Sequence, residues 1–212
     1  LEIFEISKKQ GIRSVDKICH RMELGKDTYT LRKIRPEMEE ELCRVLADFV
    51  RIMEGYRVDA YRAMASSAIS EAANSLYVLG KIRQLTGLSV TVLSNSEQRF
   101  LGYKALAAME DNFNKIIEKG TAILDLDGGS FQISLFDKDA LVTTQNIRMG
   151  SLRIRERLAG IQSETEHYEE MVEELIWNEV SSFKKMYLKD RKIENIMLIG
   201  DVFTDSVYQN IE

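Results

Sequence analysis

Three apolar runs, residues 122–126, 132–136 and 141–147, follow one another across turns too short to hold a helix. Strands joined that way pair antiparallel, because a parallel neighbour needs a crossover of about a dozen residues or more. The chain therefore contains a β-meander. Its first turn reads "DLDGGS", Asp125 to Ser130, and sets two acids and two glycines between strands that read as buried.

Ahead of the meander, strand and helix patterns alternate. "LEIFEIS" (1–7) and "VDKICHRMEL" (15–24) carry apolar residues near every second position, as strands do, and 25–35 reads as a polar loop. Pro36, the single proline, suits the first turn of a helix, and Glu37, Glu39, Glu40 and Glu41 complement its positive end. Met38, Leu42, Val45, Leu46, Phe49, Ile52 and Met53 then mark a helical stripe that Gly55 closes. Residues 58–65 and 88–93 read as strands around a mostly helical 66–87. "SNSEQRF" opens a further helix with a capping-box signature, Ser94 to Glu97. A polar bridge with a helical stub spans 110–120. After the meander come a helix from about Ser151, a long amphipathic helix over 164–188, and a late strand in "IENIMLIG".

This order predicts an α/β protein of two lobes, 1–113 and 114–212, joined near 110–120. The chain opens inside an alternating segment and ends inside a helical one. A strand is therefore expected before Leu1 and more chain after Glu212, making this an incomplete first lobe.

The chain has 212 residues, 44% of them hydrophobic, enough to bury a core in each lobe. A formal charge of -5, from 29 basic and 34 acidic residues, argues against nucleic acid as a general partner. No apolar run approaches the ~20 residues of a membrane span. Cys19 and Cys43 lie in apolar contexts and read as buried free thiols of a reducing compartment. A cytoplasmic protein without a membrane partner is the expectation.

The "DLDGGS" turn admits two readings. Asp and Gly are the favoured residues of tight hairpins, and on that ground the stretch is only a turn. Alternatively, the absence of side chains at Gly128 and Gly129 lets main-chain N–H groups approach an anion, and Ser130 adds a hydroxyl. A neighbouring carboxylate such as Asp125 would then hold a divalent cation or a water against a phosphate. Other features carry milder expectations. His20 and His167 are too far apart in pattern to suggest a metal pair. Trp177 reads as core or interface. Arg148, Arg153, Arg155 and Arg157 in "RMGSLRIRERL" form a solvated helix face or a basic wall for an extended polyanion.

Taken in order, "ASSAISEAAN" (65–74), "LSNSEQR" (93–99) and "DLDGGS" (125–130) resemble the exopolyphosphatase and guanosine-pentaphosphate phosphohydrolase (Ppx/GppA) family. The family pattern runs A-T-S-A-x-R-x-A-x-N, then I-S-G-x-E-E-A, then D-x-G-G-G-S. "MELGKD" (22–27) resembles its R-L-G stretch, and the likeness spans about residues 1–200. It implies two ribonuclease-H-like lobes of the actin and sugar-kinase type. It implies hydrolysis of the terminal phosphoanhydride of polyphosphate or guanosine pentaphosphate with Mg²⁺, and a homodimer. By position, Glu97 is the implied general base and Asp125 the implied metal residue. Gly128, Gly129 and Ser130 are the implied phosphate loop, and Ser66 and Ser67 match the T-S pair.

Departures gather at the same places. Ser70 replaces the arginine of the first motif, Gln98 the second glutamate, and Gln132 an acid two residues past the loop serine. Asp127 replaces the first glycine of G-G-G. A carboxylate 4–5 Å from a phosphate charge costs about 3–4 kcal/mol at an effective dielectric near 20 unless a metal offsets it or the side chain turns away. The D-x-G-S-N loop of the family is expected before Leu1. Three functions follow: a hydrolase with a partly eroded site, a catalytically inactive nucleotide- or polyanion-binding module of the same fold, and, more weakly, a kinase-like or actin-like ATPase.

Overall fold

The computed structural model describes residues 1–160, 167–189 and 191–200. They fall into two compact units, Leu1–Leu93 and Ser94–Glu212.

In the first unit, β1 (Glu2–Ser7) and β2 (Gly11–Lys17) form an antiparallel hairpin, followed by α1 (Leu24–Leu31) and α2 (Pro36–Gly55). β3 (Ala63–Ala65), α3 (Ser67–Ser70), α4 (Ser75–Thr86) and β4 (Val90–Val92) complete it, with β3 and β4 paired in parallel. The apolar stripe of α2 is used as its period predicts. Met38, Leu42, Leu46 and Met53 pack on a core of Ile34, Cys43, Ile69, Val78, Ile82 and Leu88. Pro36 does sit in the first turn.

Two local readings are corrected here. β2 stops at Lys17 instead of continuing to residue 24, and the stretch expected to be a polar loop holds α1. Polar anchors, invisible to an apolar pattern, hold that helix. Asp27, only 1% exposed, accepts from the Arg35 backbone N–H and from its Nε, both at 2.9 Å. The Thr28 hydroxyl donates to the Ala68 carbonyl at 2.6 Å. Burial pushes the Asp27 carboxyl upward, but its hydrogen bonds to Arg35 and the charge of that guanidinium outweigh this and hold it below the ordinary range. Of the cysteines, Cys43 is buried and free as expected, whereas Cys19 is free but exposed.

The second unit is a helix–sheet–helix sandwich. α5 (Asn95–Met109) and α6 (Phe113–Ile117) precede β5 (Thr121–Leu126), β6 (Phe131–Asp137) and β7 (Ala140–Ile147). Then come α7 (Ser151–Leu158), α8 (Tyr168–Tyr187) and β8 (Asn195–Ile199). The sheet order is β7-β6-β5-β8, antiparallel through the meander and parallel between β5 and β8. Because side chains alternate along β5, each face is served by its own core. Ile123 and Phe136 meet Phe113, Ile117, Tyr103 and Leu106 of α5 and α6. Ala122, Ile133, Leu135 and Ile147 on the other face meet Phe183 of α8, which is 2% exposed. Trp177 of the same helix is 63% exposed and so is not a core residue. The helix expected from residue 164 begins, within the described residues, at Tyr168.

Candidate active site

The β5–β6 connection occupies residues 127–130, between the Leu126↔Phe131 pair. The Asp127 N–H donates to the Ser130 carbonyl at 3.0 Å and closes the turn. The Asp127 side chain then folds back over it. Its Oδ1 accepts from the N–H of Gly129 at 2.7 Å and of Ser130 at 2.5 Å. Gly128 does not adopt a left-handed backbone, and a Cβ there would meet Leu152 at 3.4 Å, an ordinary contact.

The hairpin is held from below by the start of α7. The N–H groups of Ser151 and Arg153 donate to the carbonyls of Asp127 (3.1 Å) and Gly128 (3.0 Å), and the Arg153 Nε donates to the Gly129 carbonyl at 2.9 Å. Helix-terminal amides that lack intrahelical partners thus fix the loop. The close approach needs Gly150. Any Cβ at that position would overlap the Asp127 carbonyl oxygen and the backbone of Gly128 and Gly129. Gly200 plays a matching part at the end of β8. Its φ of 134° lies in the region that favours glycine, and a Cβ would strike the Leu126 carbonyl. Asp201, which follows it, lies outside the described residues.

α5 brings its first turn to the same loop. The Gln98 Nε2 donates to Asp127 Oδ2 at 3.3 Å. Further along, Arg99 reaches the Thr144 hydroxyl at 2.7 Å, and the Tyr103 hydroxyl donates to Ser134 at 2.5 Å. Glu97 completes the capping box that the sequence signature predicts. The Ser94 hydroxyl accepts from the Glu97 N–H at 3.2 Å, and Glu97 Oε2 accepts from the Ser94 N–H at 2.8 Å and its hydroxyl at 2.7 Å. Those hydrogen bonds to Ser94, first the backbone one, hold the exposed Glu97 carboxyl below its ordinary value, so it is charged.

Along the sheet, Asp125 is opposite Gln132, and Gln132 is opposite Asn146, so the three share one face. Among the described residues, the Gln132 Oε1 and Asn146 Oδ1 atoms are buried without a hydrogen-bond partner, and Gln132 is only 3% exposed. Ser66 and Ser67 belong to the first unit. Ser66 is the N-cap residue of α3, and the Ser67 hydroxyl pairs with that of Tyr29 at 2.9 Å. Asn74, the last residue of the first motif, is a structural clamp: its Oδ1 accepts from the Ile34 N–H and its Nδ2 donates to the Ile34 carbonyl and to Glu39. His20 and His167 pair separately with Glu41 and Glu170, and no cluster of three His, Cys, Asp or Glu occurs among the described residues.

Compared with protein-family models, residues 3–212 match the Ppx/GppA phosphatase family. The chain belongs to that family. Among solved structures, an exopolyphosphatase from Cytophaga hutchinsonii aligns with a TM-score of 0.75 at 19% identity, over 94% of this chain and 62% of that one. The Ppx/GppA family member of Aquifex aeolicus aligns with a TM-score of 0.68 at 20% identity, over 96% and 62%. A curated relative is the bifunctional 3-dehydroquinate synthase/phosphatase of Fusobacterium nucleatum, 20% identical over 138 residues, 64% of this chain and 20% of that protein. The chain thus spans about three fifths of the length of these solved structures and a fifth of the curated relative. The mixed α/β fold expected from the motifs is the one this chain shares with these Ppx/GppA structures. Glu97, Asp125 and residues 128–130 of this Ppx/GppA chain all lie in the second unit, where Gln98, the neighbour of Glu97, bonds to Asp127.

Sequence reasoning did not single out Gly150 or Gln98 as loop-building residues. The glycine in "RMGSLR", between a strand and a helix, is the one signal that pointed to Gly150.

Proposed function

We propose that this Ppx/GppA chain carries the phosphate-handling part of a hydrolase that releases terminal phosphate from polyphosphate or guanosine pentaphosphate. One observation carries the reading. The first turn of α5 and the glycine hairpin meet in one unit through Gln98 and Asp127, and the charged Glu97 is the sequence neighbour of that Gln98. In that arrangement Glu97 takes a proton from water as the water oxygen attacks the terminal phosphorus and the bridging P–O bond breaks. Residues 128–130 receive the phosphate oxygens, and Ser66 and Ser67 are proposed hydroxyl contacts on residue identity alone.

Asp125 with the carbonyl oxygens of Gln132 and Asn146 forms an all-oxygen row, two members of which lack partners, and such donors suit a hard cation. When bound there, Mg²⁺ neutralises phosphate charge. A homodimer and a cytoplasmic setting belong to the same proposal; no described helix is long and apolar enough to cross a membrane.

A second reading, an inactive polyanion-binding module, is favoured by the engagement of the Gly129 and Ser130 amides with Asp127. Phosphate release from long-chain polyphosphate and from guanosine pentaphosphate with Mg²⁺ separates the two. The Glu97→Gln variant keeps an oxygen for the capping box but no base. The hydrolase reading expects release by the natural chain and a loss of about 100-fold or more in the variant. Equal rates remove Glu97 from the chemistry, and no release from either substrate favours the module.

A further inference from the structure

The Asp127 carboxylate makes a set of contacts that a bound oxyanion would make. Oδ1 takes the N–H of Gly129 at 2.7 Å and of Ser130 at 2.5 Å. The Ser130 hydroxyl lies 3.4 Å from both carboxylate oxygens. Oδ2 takes the Gln98 amide at 3.3 Å. Two successive backbone N–H groups converging on one anionic oxygen are a general anion nest. Each N–H donates well to one acceptor at a time, so a phosphate oxygen and Oδ1 compete for the same pair. A phosphate arriving beside the carboxylate also meets its charge.

We propose that Asp127 is a built-in occupant of this loop, an intramolecular stand-in for the phosphate oxyanion that closes the cup against phosphate. The contact is an autoinhibitory one. It rests on the reading of residues 128–130 as a phosphate loop. Three features fix it in place. Its carbonyl is held by Ser151, its own N–H is closed on Ser130, and its second oxygen is held by Gln98. A glycine at this position, as in the family pattern D-x-G-G-G-S, would leave the Gly129 and Ser130 amides open. Entry of phosphate into this chain therefore requires the Asp127 side chain to rotate out.

The test is titration of the full chain with inorganic phosphate, followed by the ¹H–¹⁵N signals of Gly129 and Ser130. The proteins are the natural chain, Asp127→Gly, Asp127→Ala and Asp127→Asn. The same spectra report folding, so the alanine variant serves if the glycine variant loses structure. Removing the carboxylate is expected to tighten phosphate binding at these two amides by at least about tenfold, ~1.4 kcal/mol. Asp127→Asn keeps an oxygen that accepts from both amides, and it is expected to stay closed like the natural chain. Equal binding by the natural chain and Asp127→Gly at Gly129 and Ser130 overturns the closure and leaves the phosphate-loop reading standing. Binding by Asp127→Asn as tight as by Asp127→Gly overturns occupancy in favour of charge repulsion alone. Amides released in Asp127→Gly and Asp127→Ala, shown by faster hydrogen exchange, without phosphate binding in either overturn the phosphate-loop reading itself and the closure with it.

Discussion

Replacing Gly150 by alanine asks how much of the loop depends on one missing side chain. The added Cβ would overlap the backbone of residues 127–129, and backbone cannot swing away as a flexible side chain can. The hairpin must lift from α7, losing the bonds from the Ser151 and Arg153 N–H groups and from the Arg153 guanidinium, which run from 2.9 to 3.1 Å. Neutral hydrogen bonds contribute a net ~0.5–1.5 kcal/mol each and those from a charged donor ~1.5–3, so the loss is about 3 kcal/mol or more. For a chain of this size that lowers the melting temperature by roughly 6–12 °C. Gly80→Ala is the internal control: it lies within α4 with nothing inside 4 Å of its added Cβ. Alanine there should stabilise by ~0.5–1 kcal/mol. Thermal unfolding by circular dichroism reads both. A Gly150→Ala protein melting within about 1 °C of the natural chain would refute the claim that α7 and the hairpin are joined by this close approach.

Asp27→Ala should cost about 2–3 kcal/mol in urea unfolding, because it strips a buried acceptor from the Arg35 N–H. Its folded pKa lies below the ordinary 3.8, so its contribution is complete above that value and disappears as pH falls through the lowered one. The variant should therefore lose less stability than the natural chain between neutral and strongly acid pH; parallel acid limbs would contradict this. At the β6–β7 turn, Lys138 and Asp139 both have positive φ, 52° and 60°, as a two-residue type I′ hairpin requires. Asn-Gly suits that turn better, so the Lys138→Asn, Asp139→Gly double change should raise stability by about 1 kcal/mol; no rise in the denaturation midpoint would count against it.

The parts of this fold that repeat were legible in its residues, and the parts held by single polar contacts were not. The α2 stripe, the meander and the Ser94–Glu97 cap follow from period or from a local motif, and the structure has all three. α1 escaped because its stability comes from Asp27 and Thr28 bonding to residues remote in sequence, which an apolar pattern does not register. In the loop, the sequence marked Asp127 as an intruder at a glycine position but left two options, a compensating metal or a side chain turned away. The side chain does not turn away; it bonds to the loop's own amides. Gln132 was read as a lost acid, and burial adds that its carbonyl oxygen lacks a partner. Asn74, the last residue of the first motif, clamps Ile34 and Glu39, contacts that the motif does not reveal.

The central claim is that the Gly129 and Ser130 amides form an oxyanion cup. A crystal structure of Asp127→Gly soaked with tungstate, a dense tetrahedral analogue of phosphate, tests it most directly. An anion with oxygens about 2.7–3.2 Å from both amide nitrogens is the expected result. Amides turned to a protein acceptor in that crystal, with tungstate elsewhere or absent, would contradict it.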